Sequence, residues 1–306
     1  MLLRFVLMLA VTFIWLITIT GFHYLYQLPK VVSVLVFVVF PLIGRHFHKE
    51  KIFVIFVLIG FIGMIMSVQV VAPSNDRDWA SDHSVLPKIE MADHKVIIEG
   101  FRNFEWFGQN KFNPRWEERS FDLRKLKRLF LVVEPFKDSE LMAHTMLRFD
   151  FGEDGPVIIS VEARSEKNEE YSLLAGAYRQ FELIYIFGDE NDLFSLRAIY
   201  RGARIYVYPV KADHEFIVDL FRDLAAAANS LHLSPRFYRS IYDNCTTTLV
   251  KHIDRHYEDH IGLRYETLFP ALTGKLLYDL GFMDTDLSYE EAKKRFRVDD
   301  LIREQK

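Results

Sequence analysis

The chain of 306 residues contains a single cysteine, Cys245, and it has no internal repeat and no low-complexity run. It therefore cannot form an internal disulfide, and its cysteine content does not identify a compartment. The chain also lacks an excess of positive charge, since its net charge is −4. Residues 1–71 carry five basic side chains and one acidic one, so residues 72–306 carry −8. An acidic domain of this kind is not expected to bind nucleic acid.

Long apolar runs are confined to the first 71 residues. Three of them, at about 5–22, 31–44 and 52–71, predict membrane spans, the second being short for a bilayer. The first run has the basic Arg4 but no clear small-residue cleavage site, so we interpret it as retained. The basic loop at 45–51 is expected to be cytoplasmic. Three crossings then predict a multi-pass protein of a bacterial inner membrane with its C-terminal domain in the periplasm; two crossings would leave that domain in the cytoplasm.

The rest of the sequence predicts an α+β domain. Residues 72–94 are polar, contain prolines and are typical of a linker. Period-two alternation then predicts a mixed, mostly antiparallel sheet, and from residue 213 the pattern becomes helical. The expected strands cover 95–99, 129–133, 146–151, 157–164, 183–187 and 204–209, and the expected helices cover 192–199, 214–231, a stretch from 245 onward and part of 270–281. The predicted organisation is a membrane anchor at 1–71, a linker at 72–94 and one domain at 95–306.

Cys245 stands where a helical pattern begins. A thiol in the first turn of a helix lies near unpaired backbone N–H groups and the positive end of the helix dipole, which favour the thiolate. A free cysteine is, however, more often a small buried hydrophobic side chain. The tripeptide Asn244-Cys245-Thr246 also matches the N-glycosylation pattern, but Asn244 as a helix N-cap accounts for the same residues.

A cysteine nucleophile needs a base, and the base needs a group that orients it. His144 enters the strand at 146–151, and the following strand places Ser160, Glu162 and Arg164 on one face. We expect Glu162 to hold the imidazole of His144, and Arg164 to neutralise Glu162 or to bind an anionic group. A surface histidine beside a solvent-facing strand edge is the alternative.

A second set of candidates is the row His252, His256 and His260, which repeats every four residues. Two histidines at this spacing on a helix can bind Zn²⁺. The row lacks any further ligand motif, so a solvated helix face is the better interpretation. We expect neither a metal nor another cofactor.

Several short motifs follow one another along the chain, at 101–104, 115–116, 121–123, 143–145, 159–164, 181–185, 188–193, 196–197, 207–209, 235–238 and 244–247. Together they resemble the Lnb N-terminal periplasmic domain family. The similarity covers roughly residues 95–260, and the order and spacing of the motifs carry it rather than any single one.

The resemblance implies a circularly permuted papain-like thiol fold, akin to the NlpC/P60 and lecithin–retinol acyltransferase proteins, in which the histidine precedes the cysteine. It implies Cys245 as nucleophile and His144 as base, and with Glu162 they form the predicted catalytic set. Backbone N–H groups of the helix, with Asn244 or a nearby tyrosine, would stabilise an oxyanion. The residues expected to hold the oxyanion or the substrate are Asn244, Ser160, Arg164 and Tyr185.

The family includes a lipoprotein N-acyltransferase. The resemblance therefore implies transfer of an acyl chain from a membrane phospholipid, through a Cys245 thioester, to an amine such as a lipoprotein N-terminus. The apolar runs precede the domain here, whereas they follow it in that acyltransferase, so the acceptor is left open. A cysteine peptidase or amidase acting on cell-wall peptide would use the same two residues, and a non-enzymatic envelope scaffold would bury Cys245 unused.

Overall fold

A computed structural model describes residues 2–26, 50–137, 139–257 and 259–304. Its strands are β1 (Lys88–Ala92), β2 (Lys95–Arg102), β3 (Glu105–Gly108), β4 (Lys111–Asn113), β5 (Trp116–Asp122), β6 (Arg128–Pro135), β7 (Ala143–Asp150), β8 (Pro156–Arg164), β9 (Glu182–Gly188) and β10 (Tyr206–Val210). Eight of them form one sheet in the order β1-β2-β9-β8-β7-β6-β10, with β5 also paired to β2. Between these strands only β2 and β9 pair in parallel. The predicted α+β class with a mixed, mostly antiparallel sheet is confirmed.

The central hairpin of the sheet is β7–β8, which the sequence predicted. A short 3₁₀ turn at Gly152–Asp154 joins the strands, and Gly155 has a φ of 84°, a conformation that glycine adopts without strain. The register places Met146 opposite Ser160 and Leu147 opposite Ile159. This pairing brings the beginning of β7 beside the end of β8, where the polar residues of both strands lie.

Helices cover both faces of the sheet. They are α1 (Leu2–Tyr26), α2 (Glu50–Val70), α3 (Leu173–Ala177), α4 (Glu190–Ser195), α5 (His214–Leu233), α6 (Cys245–Ile253), α7 (Tyr265–Leu268), α8 (Thr273–Asp279), α9 (Tyr289–Arg295) and α10 (Asp299–Glu304), and a π-turn over Leu196–Tyr200 extends α4. Helices α5 and α6 pack on one face, where the main core includes Phe149, Phe221 and Leu249. Helices α4 and α10 cover the other face around Met146 and Ile186.

The predicted membrane spans are not supported. Helices α1 and α2 overlap the runs at 5–22 and 52–71, but within the described ranges no helix is both long and apolar enough to cross a bilayer. The predicted span at 31–44 lies outside the described residues. Helix α1 packs on α2 through Trp15 and Val57. It also contacts the domain, because the hydroxyls of Thr20 and Tyr178 lie 2.8 Å apart.

The stretch expected to be a linker, residues 72–94, lies against the domain. Its last part forms β1, which pairs with β2 along five positions. Trp79 and His83 are buried, and the Trp79 ring lies 3.9 Å from the guanidinium carbon of Arg164. The burial of these side chains makes the segment an integral part of the fold, which its polar composition did not indicate.

Candidate active site

Helix α6 begins at Cys245 because Asn244 caps it. The Oδ1 atom of Asn244 accepts from the Thr247 backbone N–H at 2.9 Å, and the Thr247 hydroxyl accepts from the Asn244 N–H at 3.0 Å. The Nδ2 atom of Asn244 donates to the Ser240 carbonyl at 2.9 Å. The N-cap interpretation is therefore confirmed. The cap uses the amide oxygen and one of the two N–H groups of Nδ2. The expected role of Asn244 at an oxyanion stays a prediction that rests on the second N–H group.

Cys245 faces a cleft of about 1000 Å³. Burial alone would raise the pKa of its thiol, but the charge and hydrogen bond of His144, with hydrogen bonds from Thr145, lower it to about 7. Burial likewise opposes the charged form of His144, whose pKa the charge and hydrogen bond of Cys245 nevertheless raise. The two groups stabilise each other as thiolate and imidazolium, and the structure brings together the pair that the sequence proposed.

His144 is oriented by a serine that lies between it and a carboxylate. Its Nε2 atom lies 2.7 Å from Ser160 Oγ, and that hydroxyl donates to Glu162 Oε1 at 2.8 Å. A hydroxyl has one proton, so Ser160 accepts from Nε2–H of His144. The Nδ1 atom is then the nitrogen that can take the thiol proton. The direct distance from Nε2 to Glu162 Oε1 is 3.7 Å, so Glu162 acts on the imidazole mainly through Ser160.

Glu162 is kept ionised by a buried arginine. Arg197 Nη2 donates to Glu162 Oε1 at 2.9 Å, and its Nε donates to Glu134 Oε2 at 2.7 Å. Burial would raise the pKa of Glu162, but His83, Arg197 and His144 lower it well below its usual range. The neutralising cation was expected to be Arg164, and the structure assigns that part to Arg197.

Arg164 holds the segment before β1 against the site. Its guanidinium donates to the carbonyls of His83 and Ser84 and to Asn75 Oδ1 at 2.9–3.2 Å. His83 in turn accepts at Nδ1 from the Ser165 N–H and places Nε2 3.6 Å from Glu162 Oε2. Because every described hydrogen bond of its guanidinium goes to this segment, Arg164 is a positioning residue rather than an anion-binding one.

Tyr185 does not line the cleft. Its side chain is fully buried, and its hydroxyl lies 2.8 Å from His252 Nε2. The opposite nitrogen of His252 lies 2.8 Å from Asp223 Oδ2. The expectation that Tyr185 binds substrate is therefore not supported, and the interpretation of His252 as part of a solvated face was wrong. Helix α6 ends at Ile253, so His256 and His260 do not continue the row on that helix. The described residues form no cluster suited to a metal ion.

Tyr238 supplies a hydroxyl beside the thiol. The sequence indicated a tyrosine near Cys245 but did not identify which one. This hydroxyl interacts with the backbone of Cys245, and burial followed by the charge of Cys245 raises the pKa of Tyr238 well above its usual value. It therefore stays protonated and can donate. The Tyr238 hydroxyl and the Cys245 backbone N–H are therefore candidate donors for an oxyanion, in addition to Asn244.

The site also contains residues that sequence analysis missed. His83 was assigned to the linker, and Glu134 lies just after the strand expected at 129–133, although the structure includes it in β6. Arg197 lies in one of the family motifs, but nothing in its local pattern indicates Glu162 as its partner. The alternation at 157–164 could have indicated that such residues exist, since a row of polar side chains on a buried strand needs charged partners from other parts of the chain.

The assembled site has the groups that nucleophilic catalysis by a thiol requires. It has a thiol whose pKa is near neutrality, an imidazole in a defined tautomer, and donors beside the reacting atom.

Comparison with known proteins identifies the domain. The model of the Lnb N-terminal periplasmic domain family matches residues 112–278, more than half of the chain and including Cys245, His144, Ser160, Glu162 and Arg197. Neither the curated proteins nor the solved structures contain a significant match. The matched part is thus a periplasmic domain that carries a cysteine–histidine site, and the chain belongs to the Lnb N-terminal periplasmic domain family.

Proposed function

We propose that this protein is a cysteine acyltransferase of the bacterial envelope. It takes an acyl chain from a membrane phospholipid onto Cys245 and passes it to an amine, such as the N-terminus of a lipoprotein. The observation that carries the proposal is the pairing of Cys245 with His144, with the thiol pKa lowered to about 7. A lone cysteine that only fills space in the core would not need a histidine beside it. Here the imidazole of that histidine is oriented by Ser160, Glu162 and Arg197.

The proposed reaction has two steps. The Cys245 thiolate attacks the ester carbonyl; its sulfur bonds to the carbonyl carbon, and the oxyanion is held by the Cys245 N–H and Tyr238. The carbon–oxygen ester bond then breaks, and His144 Nδ1–H gives its proton to the departing lysophospholipid alkoxide. In the second step an amine attacks the thioester, His144 accepts the amine proton, and the carbon–sulfur bond breaks to leave an amide and the thiolate.

Apolar surface on the N-terminal helices supports a lipid donor. Helix α2 exposes a series of large apolar side chains, namely Ile55, Leu58, Ile59, Ile62, Ile65, Met66 and Val70. Contiguous apolar surface of this kind marks contact with a membrane or another protein. Contact with lipid there would keep the domain close to its proposed ester substrate.

The alternative function is a cysteine amidase or peptidase acting on cell-wall peptide. It is favoured by the character of the cleft, which includes charged side chains of both signs such as Lys137, Lys167 and Glu170. A peptide amide could bind there and be attacked by the same thiolate. The two functions differ in whether the carbonyl group comes from an ester of a lipid or from a peptide bond.

Acylation of Cys245 by a phospholipid separates the candidates. The full-length protein is incubated with vesicles of phosphatidylethanolamine and analysed by intact-protein mass spectrometry, with Cys245→Ala as the matched control. We expect an acyl adduct that is released by neutral hydroxylamine, together with lysophospholipid, and neither with the variant. Cleavage of cell-wall peptide by the wild type, with no adduct and no lysophospholipid, would replace the acyltransferase by the amidase.

A further inference from the structure

A second cavity, distinct from the cleft, lies on the α5–α6 side of the sheet. It has a volume of about 610 Å³, within the roughly 300–1,000 Å³ typical of small-molecule sites. Leu131, Leu147, Phe216, Leu249 and Leu276 are among its predominantly apolar lining residues. We call this space the apolar cavity. Its walls come from β6, β7, α5, α6 and α8, so it is built by the core of the domain.

The apolar cavity and the thiol share two threonines. Thr145 and Thr246 line the cavity, and their hydroxyls lie 2.9 Å apart. Thr246 Oγ1 is 3.8 Å from Cys245 Sγ, and Thr145 hydrogen-bonds the thiol. The inner end of the cavity is therefore separated from the reacting sulfur by one layer of side chains. Lys211 and His256, which are exposed, mark where the lining reaches the surface.

We propose that the apolar cavity binds the hydrocarbon chain of the acyl group carried by Cys245, with Thr145 and Thr246 parting to admit it. The inference rests on the proposed acyltransfer and adds the place where the chain lies. The cleft is a poor place for such a chain, because an alkyl group there would desolvate exposed charged groups such as Lys137 and Glu170 without pairing them. The cleft is left for the polar headgroup and then for the acceptor amine.

A series of acyl donors tests the assignment. Acetyl, octanoyl and palmitoyl p-nitrophenyl esters are given to the full-length protein, and the rate of Cys245 acylation is followed by mass spectrometry. The rate should rise with chain length by up to about fourfold per methylene while the cavity fills. Ile253→Trp, at a half-buried lining position, should flatten this dependence. Leu287→Trp, at an exposed position outside the lining, should retain the wild-type dependence.

A binding measurement keeps the assignment separate from catalysis. Radiolabelled palmitate is titrated into Cys245→Ala, which lacks the nucleophile, and into the double variant with Ile253→Trp. Binding to the first and its loss in the second supports the apolar cavity even if no ester acylates Cys245, an outcome that would refute only the acyltransferase. Acylation independent of chain length, or palmitate binding unaffected by Ile253→Trp, overturns the assignment. Val250→Trp replaces Ile253→Trp if thermal unfolding shows that the latter does not fold.

Discussion

The Nε2 atom of His144 lies 2.7 Å from the Oγ atom of Ser160. Since the Ser160 hydroxyl donates its hydrogen bond to Glu162, this contact sets the tautomer of the imidazole and leaves Nδ1 as the nitrogen that can accept the thiol proton. The carboxylate therefore acts one hydrogen bond further from the base than the sequence suggested. Orientation of His144 depends on Ser160, which gives the first prediction.

Ser160→Ala should lower kcat for Cys245-dependent ester turnover by roughly 10²-fold. The substitution removes the acceptor of Nε2–H, so the imidazole loses its fixed orientation while the Cys245 thiol stays in place. KM should change little, because Ser160 is buried behind His144. Ser160→Thr retains a hydroxyl and should recover much of kcat. Wild-type turnover by Ser160→Ala would show that the imidazole needs no such partner.

Alkylation of Cys245 by iodoacetamide should follow a pKa of about 7. The thiolate is the reactive form, so the rate should be low at acid pH, half its maximum near neutrality and constant above it. In His144→Ala the interaction that lowers the thiol pKa is absent and burial still raises it, so the profile should move to clearly higher pH. A thiol that reacts only after denaturation would favour a non-enzymatic scaffold.

Arg197→Met should lower the free energy of unfolding by about 3–5 kcal/mol, measured by urea denaturation at neutral pH. It leaves Glu134 and Glu162 buried without their cation. The pKa of Glu162 is lowered in the folded state. The contribution of Glu162 to the free energy of unfolding is therefore complete above its ordinary pKa of 4.5, and it is lost as the pH falls through the lower folded pKa. The difference in unfolding free energy between the wild type and Arg197→Met should therefore become smaller at acid pH.

Arg128→Met is the control for the buried arginine. It removes an exposed pair with Asp150 and should cost less than about 1 kcal/mol. Equal losses in the two variants would mean that burial of the Arg197 network does not contribute to stability.

Arg164→Met should release the segment that holds His83. The side chain loses its hydrogen bonds to the segment and its contact with Trp79, so trypsin should cut after Arg77 about tenfold faster. Turnover should fall as well, because His83 leaves Glu162. His83→Ala provides the comparison: it should lower turnover without faster cleavage. Unchanged proteolysis of Arg164→Met would show that other contacts hold the segment.

Much of the fold followed from short-range patterns. Alternation located β2, β6, β7, β8, β9 and β10, and the apolar stripe at 214–231 located α5, because burial of one face repeats with the period of the backbone. Asn244 was identifiable as a helix cap since a cap is formed by residues three apart. The pairing of His144 with Cys245 came from the family resemblance, and the structure brings the two side chains together.

The sequence by itself thus determined six strands of the sheet, the helix start at Cys245 and the two residues proposed to react. Tertiary structure alone decided that Arg197 neutralises Glu162, that Arg164 holds His83 beside it, and that Tyr185 pairs with His252 away from the cleft. These contacts join residues dozens of positions apart. The sequence alone does not distinguish a charged side chain on the surface from one in the core. A buried charge needs a partner, and only the folded chain brings that partner to it.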